Sequence, residues 1–80
     1  MFNINIHEFK EKFKQEYEFL YNNDDNVAGY VEAVVTFDEL MDKNDSFKTF
    51  VGEFAKYRQD FISSDREAAA FMFALDSMTQ

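Results

Sequence analysis

The chain has no cysteine, no proline and no tryptophan, and only one histidine and two glycines in 80 residues. Without cysteine there is no disulfide framework, no thiolate metal site and no thiol nucleophile. A single histidine excludes a zinc centre built on several imidazoles. Positive charge is also scarce. Lysine and arginine number 8 against 16 aspartates and glutamates, for a formal charge of −8. That sign opposes direct binding to nucleic acid or to anionic lipid, both of them polyanions. Long apolar runs are missing too. The longest cluster, Ala68 to Leu75, falls far short of the ~20 residues that cross a bilayer. Met1 to Ile6 lacks the basic start of a secretory leader, and Glu8 and Lys10 follow closely. These features predict a cytoplasmic protein that engages no membrane.

Chemistry is equally sparse. There is no glycine-rich phosphate loop, and no serine stands with His7 in a hydrolase pattern. A chain of this size has no room for a deep pocket. The expectation is a non-enzymatic protein that needs no cofactor.

What is present is apolar and aromatic. Apolar residues make up 46% of the sequence, and phenylalanine alone occurs 11 times. Disordered chains are poor in aromatics because they cannot bury enough surface to offset the entropy of ordering. An 80-residue domain buries little more than ~60% of its unfolded surface. Large rings, each burying about 150–250 Å², compensate. Residues 1–80 therefore read as one small acidic domain.

Periodicity divides the chain into four segments. From Ile6 to Tyr21, Ile6, Phe9, Phe13, Tyr17 and Leu20 recur at spacings of three and four, one helical stripe. Asn5 is placed to cap it, with Glu8 three residues on. Glu8–Lys12 and Lys14–Glu18 form i,i+4 pairs on the wet side. Before it, Phe2, Ile4 and Ile6 alternate with asparagines, as in a short extended arm. Asn22 to Asn26 is a polar break with turn chemistry. The second segment, Val27 to Lys43, keeps helical spacing through Val27, Tyr30, Val34, Phe37 and Met41. Its β-branched run from Tyr30 to Phe37 leaves a strand, and an α+β fold, as the alternative. The third, Phe47 to Ile62, carries a stripe through Phe47, Phe50, Val51, Phe54, Tyr57, Phe61 and Ile62, with Asp45 or Ser46 as cap. The fourth begins at Ser63-Ser64, where Ser64 and Glu67 form a capping box. Ala68, Phe71, Met72, Leu75 and Met78 make one of its faces, and Ala69, Ala70, Phe73 and Ala74 make the other almost as apolar. Such a helix demands cover on two sides, as the central element or within a homodimer. Gly29 and Gly52 fall inside predicted helices, where close contact leaving no room for a Cβ is the expected reason, with a bend or a strand boundary at Gly29 as the alternative. The reading is an all-α bundle of about four short helices.

The negative charge is unevenly placed. Residues 22–46 hold Asp24, Asp25, Glu32, Asp38, Glu39, Asp42 and Asp45 against Lys43 alone, or −6, while the flanking thirds carry −1 each. On one continuous helix Asp25, Glu32 and Glu39 share a rail at ~10.5 Å intervals. Asp38 and Asp42 flank it, and Asp24 and Asp45 extend it. Like charges so arranged repel, so a solvated face is one reading and a docking surface for a basic partner is the other. Part of the stretch also matches calcium-loop spacing, with Asp42, Asn44, Ser46 and Glu53 at positions 1, 3, 5 and 12. Position 6 is Phe47, where a sharp turn needs glycine.

Phe19, Tyr21 and Phe73 lie off their stripes, and exposed apolar side chains mark contact sites. In size, acidity and lack of catalytic motifs the chain resembles the small inhibitors made by bacteriophages and other mobile elements, such as anti-restriction and anti-CRISPR proteins. The resemblance is one of character and aligns no residues. It implies an inhibitor and assigns no site. The charge asymmetry itself is what points to the seven clustered carboxylates as stand-ins for phosphates on the basic surface of a nucleic-acid-binding protein. The rival expectation is a structural or assembly protein that homodimerises through its last helix. A third is a small regulator that grips a partner through apolar contacts.

Overall fold

Apolar stripes fix four helices, three of them with a side-chain cap at the start, in a computed structural model that describes residues 4–57 and 64–79. They are α1 (Ile6–Asn22), α2 (Tyr30–Lys43), α3 (Asp45–Tyr57) and α4 (Asp65–Thr79), with no strand among the described residues. The fold is all-α. Phe2, Arg58, Phe61, Ile62 and Ser63 lie outside the described residues, so the extended arm is seen only at Ile4 and Asn5.

Asn5 opens α1 as its sequence position predicts. Its side chain accepts the backbone N–H groups of His7 (2.9 Å) and Glu8 (3.2 Å), satisfying donors that have no partner inside the helix. Lys12 lies 4.0 Å from Glu16 rather than closing the expected pair with Glu8. The end of α1 is a Schellman motif. Asp25 N–H donates to Leu20 O (2.9 Å), and Asp24 N–H to Tyr21 O (3.3 Å). Asp24 (φ 52°) and Asp25 (φ 60°) both take left-handed backbone, a conformation that aspartate tolerates better than most residues.

The strand alternative for residues 30–37 is overturned: the segment is helical throughout. It starts at Tyr30, three residues later than the apolar spacing predicts, because Gly29 at φ +86° turns the chain into it. The β-branched Val31 and Val35 face solvent, so β propensity yields to the burial of Ala33 and Phe37 on the other side. Asn44 alone separates α2 from α3. Its N–H donates to Leu40 O (2.8 Å), and its side chain accepts Phe47 N–H (3.0 Å). Asn44 is therefore the cap of α3, in place of Asp45 or Ser46. Since residues 45–53 are helical, the calcium-loop spacing there forms no loop. Ser64 and Glu67 do form a cap. Glu67 N–H donates to Ser64 Oγ (3.4 Å), whose hydroxyl donates to Glu67 Oε1 (3.0 Å).

The stripes meet in one buried cluster to which all four helices contribute. α4 is the central element. Ala68 to Met72, Ala74 and Leu75 are all buried, chiefly against α1 and α2. Apart from Phe73, which is only partly buried, the cover that its two apolar faces demand is supplied within the chain. The assembly reading thus loses the exposed surface that motivated it. The radius of gyration is 11.6 Å, which matches the ~12 Å scaling of compact domains of this length.

Neither glycine answers to close packing. A Cβ on Gly52 would meet nothing within 4 Å, and one on Gly29 would meet only Phe73 Cε1 at 3.9 Å. Gly29 is required by its dihedral, and Gly52 is a weak point in a helix. Substituting alanine should therefore have opposite effects. Gly29→Ala is expected to destabilise by about 1–2 kcal/mol, and Gly52→Ala to stabilise by about 0.5–1 kcal/mol. Urea denaturation of the two variants checks both signs.

Candidate acidic docking face

The seven carboxylates singled out in the sequence separate into three groups. Glu32, Asp38, Glu39 and Asp42 are exposed on α2. At 100° per residue they fall on one side of the helix together with Val31 and Val35, which are 72% and 48% exposed. The opposite side buries Ala33 and Phe37. The valines run near the middle of the outward face, with Asp38 and Asp42 beside them and Glu32 and Glu39 along one margin. Among the described residues, no lysine or arginine lies within ion-pair distance of these four carboxylates.

Asp45 stands across the Asn44 junction as the first residue of α3. It is exposed, and its carboxylate lies 3.8 Å from Lys48 Nζ. A pair this open to solvent contributes little. Asp45 thus begins the next helix and is not on α2, so the straight rail ends before it.

Asp24 and Asp25 do not extend the face at the other end. Both sit in the turn after α1, because α2 begins only at Tyr30. Asp24 is exposed there. Asp25 is bound within the protein: Arg66 donates from Nε to Oδ1 (2.7 Å) and from a terminal nitrogen to Oδ2 (2.9 Å). Bidentate guanidinium–carboxylate pairs of this length are among the stronger hydrogen-bonded contacts. The continuous rail Asp25–Glu32–Glu39 is thereby corrected. Glu32 and Glu39 share it, and Asp25 is paired instead with Arg66 of α4.

The Asp25–Arg66 pair is the centre of a second cluster. The guanidinium carbon lies 5.0 Å from the Tyr21 ring centre and 5.9 Å from that of Tyr17, within cation–π range. Hydrogen bonds donated to Asp25 and then to Tyr17 raise the Arg66 pKa, against the opposing effect of burial. Nearby, burial first, then the Asp25 and Asp65 carboxylates, holds the Tyr30 phenol above its ordinary value, with Arg66 pulling the other way. Sequence reasoning missed this node. Asp25 and Arg66 are 41 residues apart, and no local spacing signals such a pair.

His7 is exposed in the first turn of α1. Among the described residues, no group of three or more histidine or carboxylate side chains is gathered as a metal site.

Two predictions follow from the Tyr30–Asp25–Arg66 node. Asp25→Asn should lower the melting temperature clearly more than Asp24→Asn, which removes the same charge from the same turn but no ion pair. The raised Tyr30 pKa also sets a direction with pH. Above the ordinary phenol value of about 10, the unfolded chain gives up its proton before the folded one does, so stability falls as pH rises. Thermal melts between about pH 9 and 11 should therefore fall more steeply for the natural protein than for Tyr30→Phe. No protein-family model matches the chain, and comparison with curated proteins and with solved structures finds no match.

Proposed function

We propose that the chain is a non-enzymatic binding protein whose α2 face docks on a basic surface of a partner protein. The partner is one that normally holds nucleic acid, and docking inhibits it. The observation that carries the reading is the exposure of Glu32, Asp38, Glu39 and Asp42 on one side of α2 around Val31 and Val35. The arrangement works against the helix. Asp38 and Asp42 stand at i,i+4 and Glu39 and Asp42 at i,i+3, each like-charge pair costing about 0.2–0.5 kcal/mol. Asp42 also lies in the last turn, where the helix dipole disfavours a carboxylate. A basic partner would relieve both costs on binding and would be steered to the face by its field.

Charge density refines the mimicry. From Glu32 to Asp42 the face presents four carboxylates over ~15 Å of helix axis, or one per ~5 Å. Duplex DNA carries one phosphate charge per ~1.7 Å. The face therefore stands in for a few phosphates, not a length of duplex, and its valines supply apolar contact that a phosphate backbone lacks. The setting that fits is the cytoplasm, where such partners work. An inhibitory role of the kind found in phage or mobile-element proteins agrees with the size and charge.

The test is a Glu32→Gln, Glu39→Gln, Asp42→Asn variant. Its helical circular dichroism should be unchanged and its stability equal or slightly higher, since repulsion is relieved. Quantitative mass spectrometry after capture from a host lysate should show nucleic-acid-binding proteins retained by the natural chain at low salt. They should be reduced by high salt, which screens exposed charges, and by competing DNA. They should be lost from the variant at any salt. Retention of the same proteins by the variant rejects the reading.

A further inference from the structure

Beyond α2, the least expected surface surrounds Phe73. This ring lies off the main stripe of α4 and is only partly buried, with its edge over Gly29. It divides two open clefts. One, of about 310 Å³, lies between α1 and α4 and is lined by Glu16, Phe19, Val27, Ala28, Phe73 and Asp76, among others. The other, of about 350 Å³, lies between α2 and α4, where Glu32, Ala33, Thr36 and Met72 join Phe73 and Asp76. Phe19 is 50% exposed on its rim. The floor is thus aromatic and aliphatic, and the rim is acidic. Asp76 and Glu32 are exposed, and Glu16 stands 4.0 Å from Lys12.

We infer that this double cleft binds an amphipathic segment of a partner protein, one that presents a bulky apolar side chain flanked by lysine or arginine. The apolar anchor would enter beside Phe73, and the flanking cations would meet Asp76 and Glu32. Charge decides the occupant. A second copy of the chain, itself at −8, would bring carboxylates to carboxylates. Each cleft lies at the low end of ligand-site volumes, suited to single side chains. The inference rests on the proposed function in one respect: Glu32 belongs to both surfaces, so the cleft supplies the apolar anchorage of the same acidic docking region.

The probe is a fluorescein-labelled helical peptide of alternating leucine and lysine faces with one tryptophan, titrated by anisotropy against the full chain. Two controls replace its leucines by serine or its lysines by glutamate. The leucine–lysine peptide should bind and the controls should bind at least about tenfold more weakly, the scale of a lost aromatic anchor. Its binding should shift the amide resonances of Phe19, Val27, Ala28, Phe73 and Asp76. Phe19→Ser, at a half-exposed position, should leave the helical circular dichroism unchanged and weaken binding about tenfold. Asp76→Asn should weaken it a few-fold and flatten its salt dependence. Asp38→Asn with Asp42→Asn, away from the cleft, separates the two readings. Weakening by that pair but not by Phe19→Ser or Asp76→Asn overturns the cleft and leaves the α2 face. The converse supports the cleft and tells against the α2 face. No binding of the leucine–lysine peptide overturns the inference, as does equal binding of the glutamate peptide. Concentration-dependent dimerisation abolished by Phe19→Ser overturns it too, by making a second copy the occupant.

Discussion

The ring of Phe71 lies where α1, α2 and α3 converge on α4. Phe9, Phe37, Phe47, Phe50 and Phe54 surround it edge-to-face, with ring centres 4.8–5.7 Å away. Edge-to-face pairs gain about 0.5–1.5 kcal/mol each beyond the area they bury. For a chain this small, without disulfides, that concentration of rings supplies much of the burial that opposes ordering entropy. It also dictates helix spacing. Alanines at 68, 69, 70 and 74 let α1 and α2 approach α4 closely, while α3 reaches Phe9 and Phe71 through the rings of Phe50 and Phe54. Most of the apolar surface of α4 is consumed in this way, and the large apolar side chains left most exposed are Phe19, Tyr21, Val31 and Val35, with Phe73 partly buried.

A second constraint acts at the edge of that core. The turn after α1 takes two successive left-handed aspartates, and each costs conformational energy that a glycine would not. The turn persists because Asp25 is held by Arg66, which ties the end of α1 to the start of α4. Tyr17 and Tyr21 flank the guanidinium on its aromatic side. One carboxylate that composition alone assigns to an acidic surface is thus a structural group. The same count of charges conceals two kinds of aspartate, separated by whether a cation from a distant helix reaches them.

This difference explains what was legible in the sequence and what was not. The stripes on α1 and α4 are local, and helical spacing places Phe9, Phe13, Leu20, Phe71 and Leu75 in the core correctly. The caps at Asn5 and Ser64 are local as well. Between Tyr30 and Phe37, two local signals conflict: β-branched residues favour a strand, while apolar spacing favours a helix. Packing against α4 resolves it, since the helix buries Ala33 and Phe37 and leaves Val31 and Val35 outside. The late start of α2 depends on the positive φ of Gly29; a glycine permits such a bend, but its place in the sequence does not tell it from close packing. Asn44 is overlooked as a cap because Asp45 and Ser46 beside it are equally good cap residues, and only backbone direction distinguishes them. The pairing of Asp25 with Arg66 is invisible to any local rule.

The surviving acidic surface is shaped by the core beneath it. α2 is fastened on its inner side to α4 and, through Asn44, to α3. Repulsion among its outer carboxylates is a few tenths of a kcal/mol per pair, small beside the ~3–5 kcal/mol that a buried phenylalanine such as Phe37 contributes when compared with alanine. A helix held by packing can therefore carry a charge pattern that would unravel it in isolation, where helices this short are marginal. The same attachment fixes the backbone positions of Glu32 and Glu39, so under the proposed docking only side-chain entropy would be lost there. Rigidity of the scaffold and repulsion on its surface thus work together: the core holds the carboxylates at a separation they would not choose, and a cation set between them lowers the energy of both.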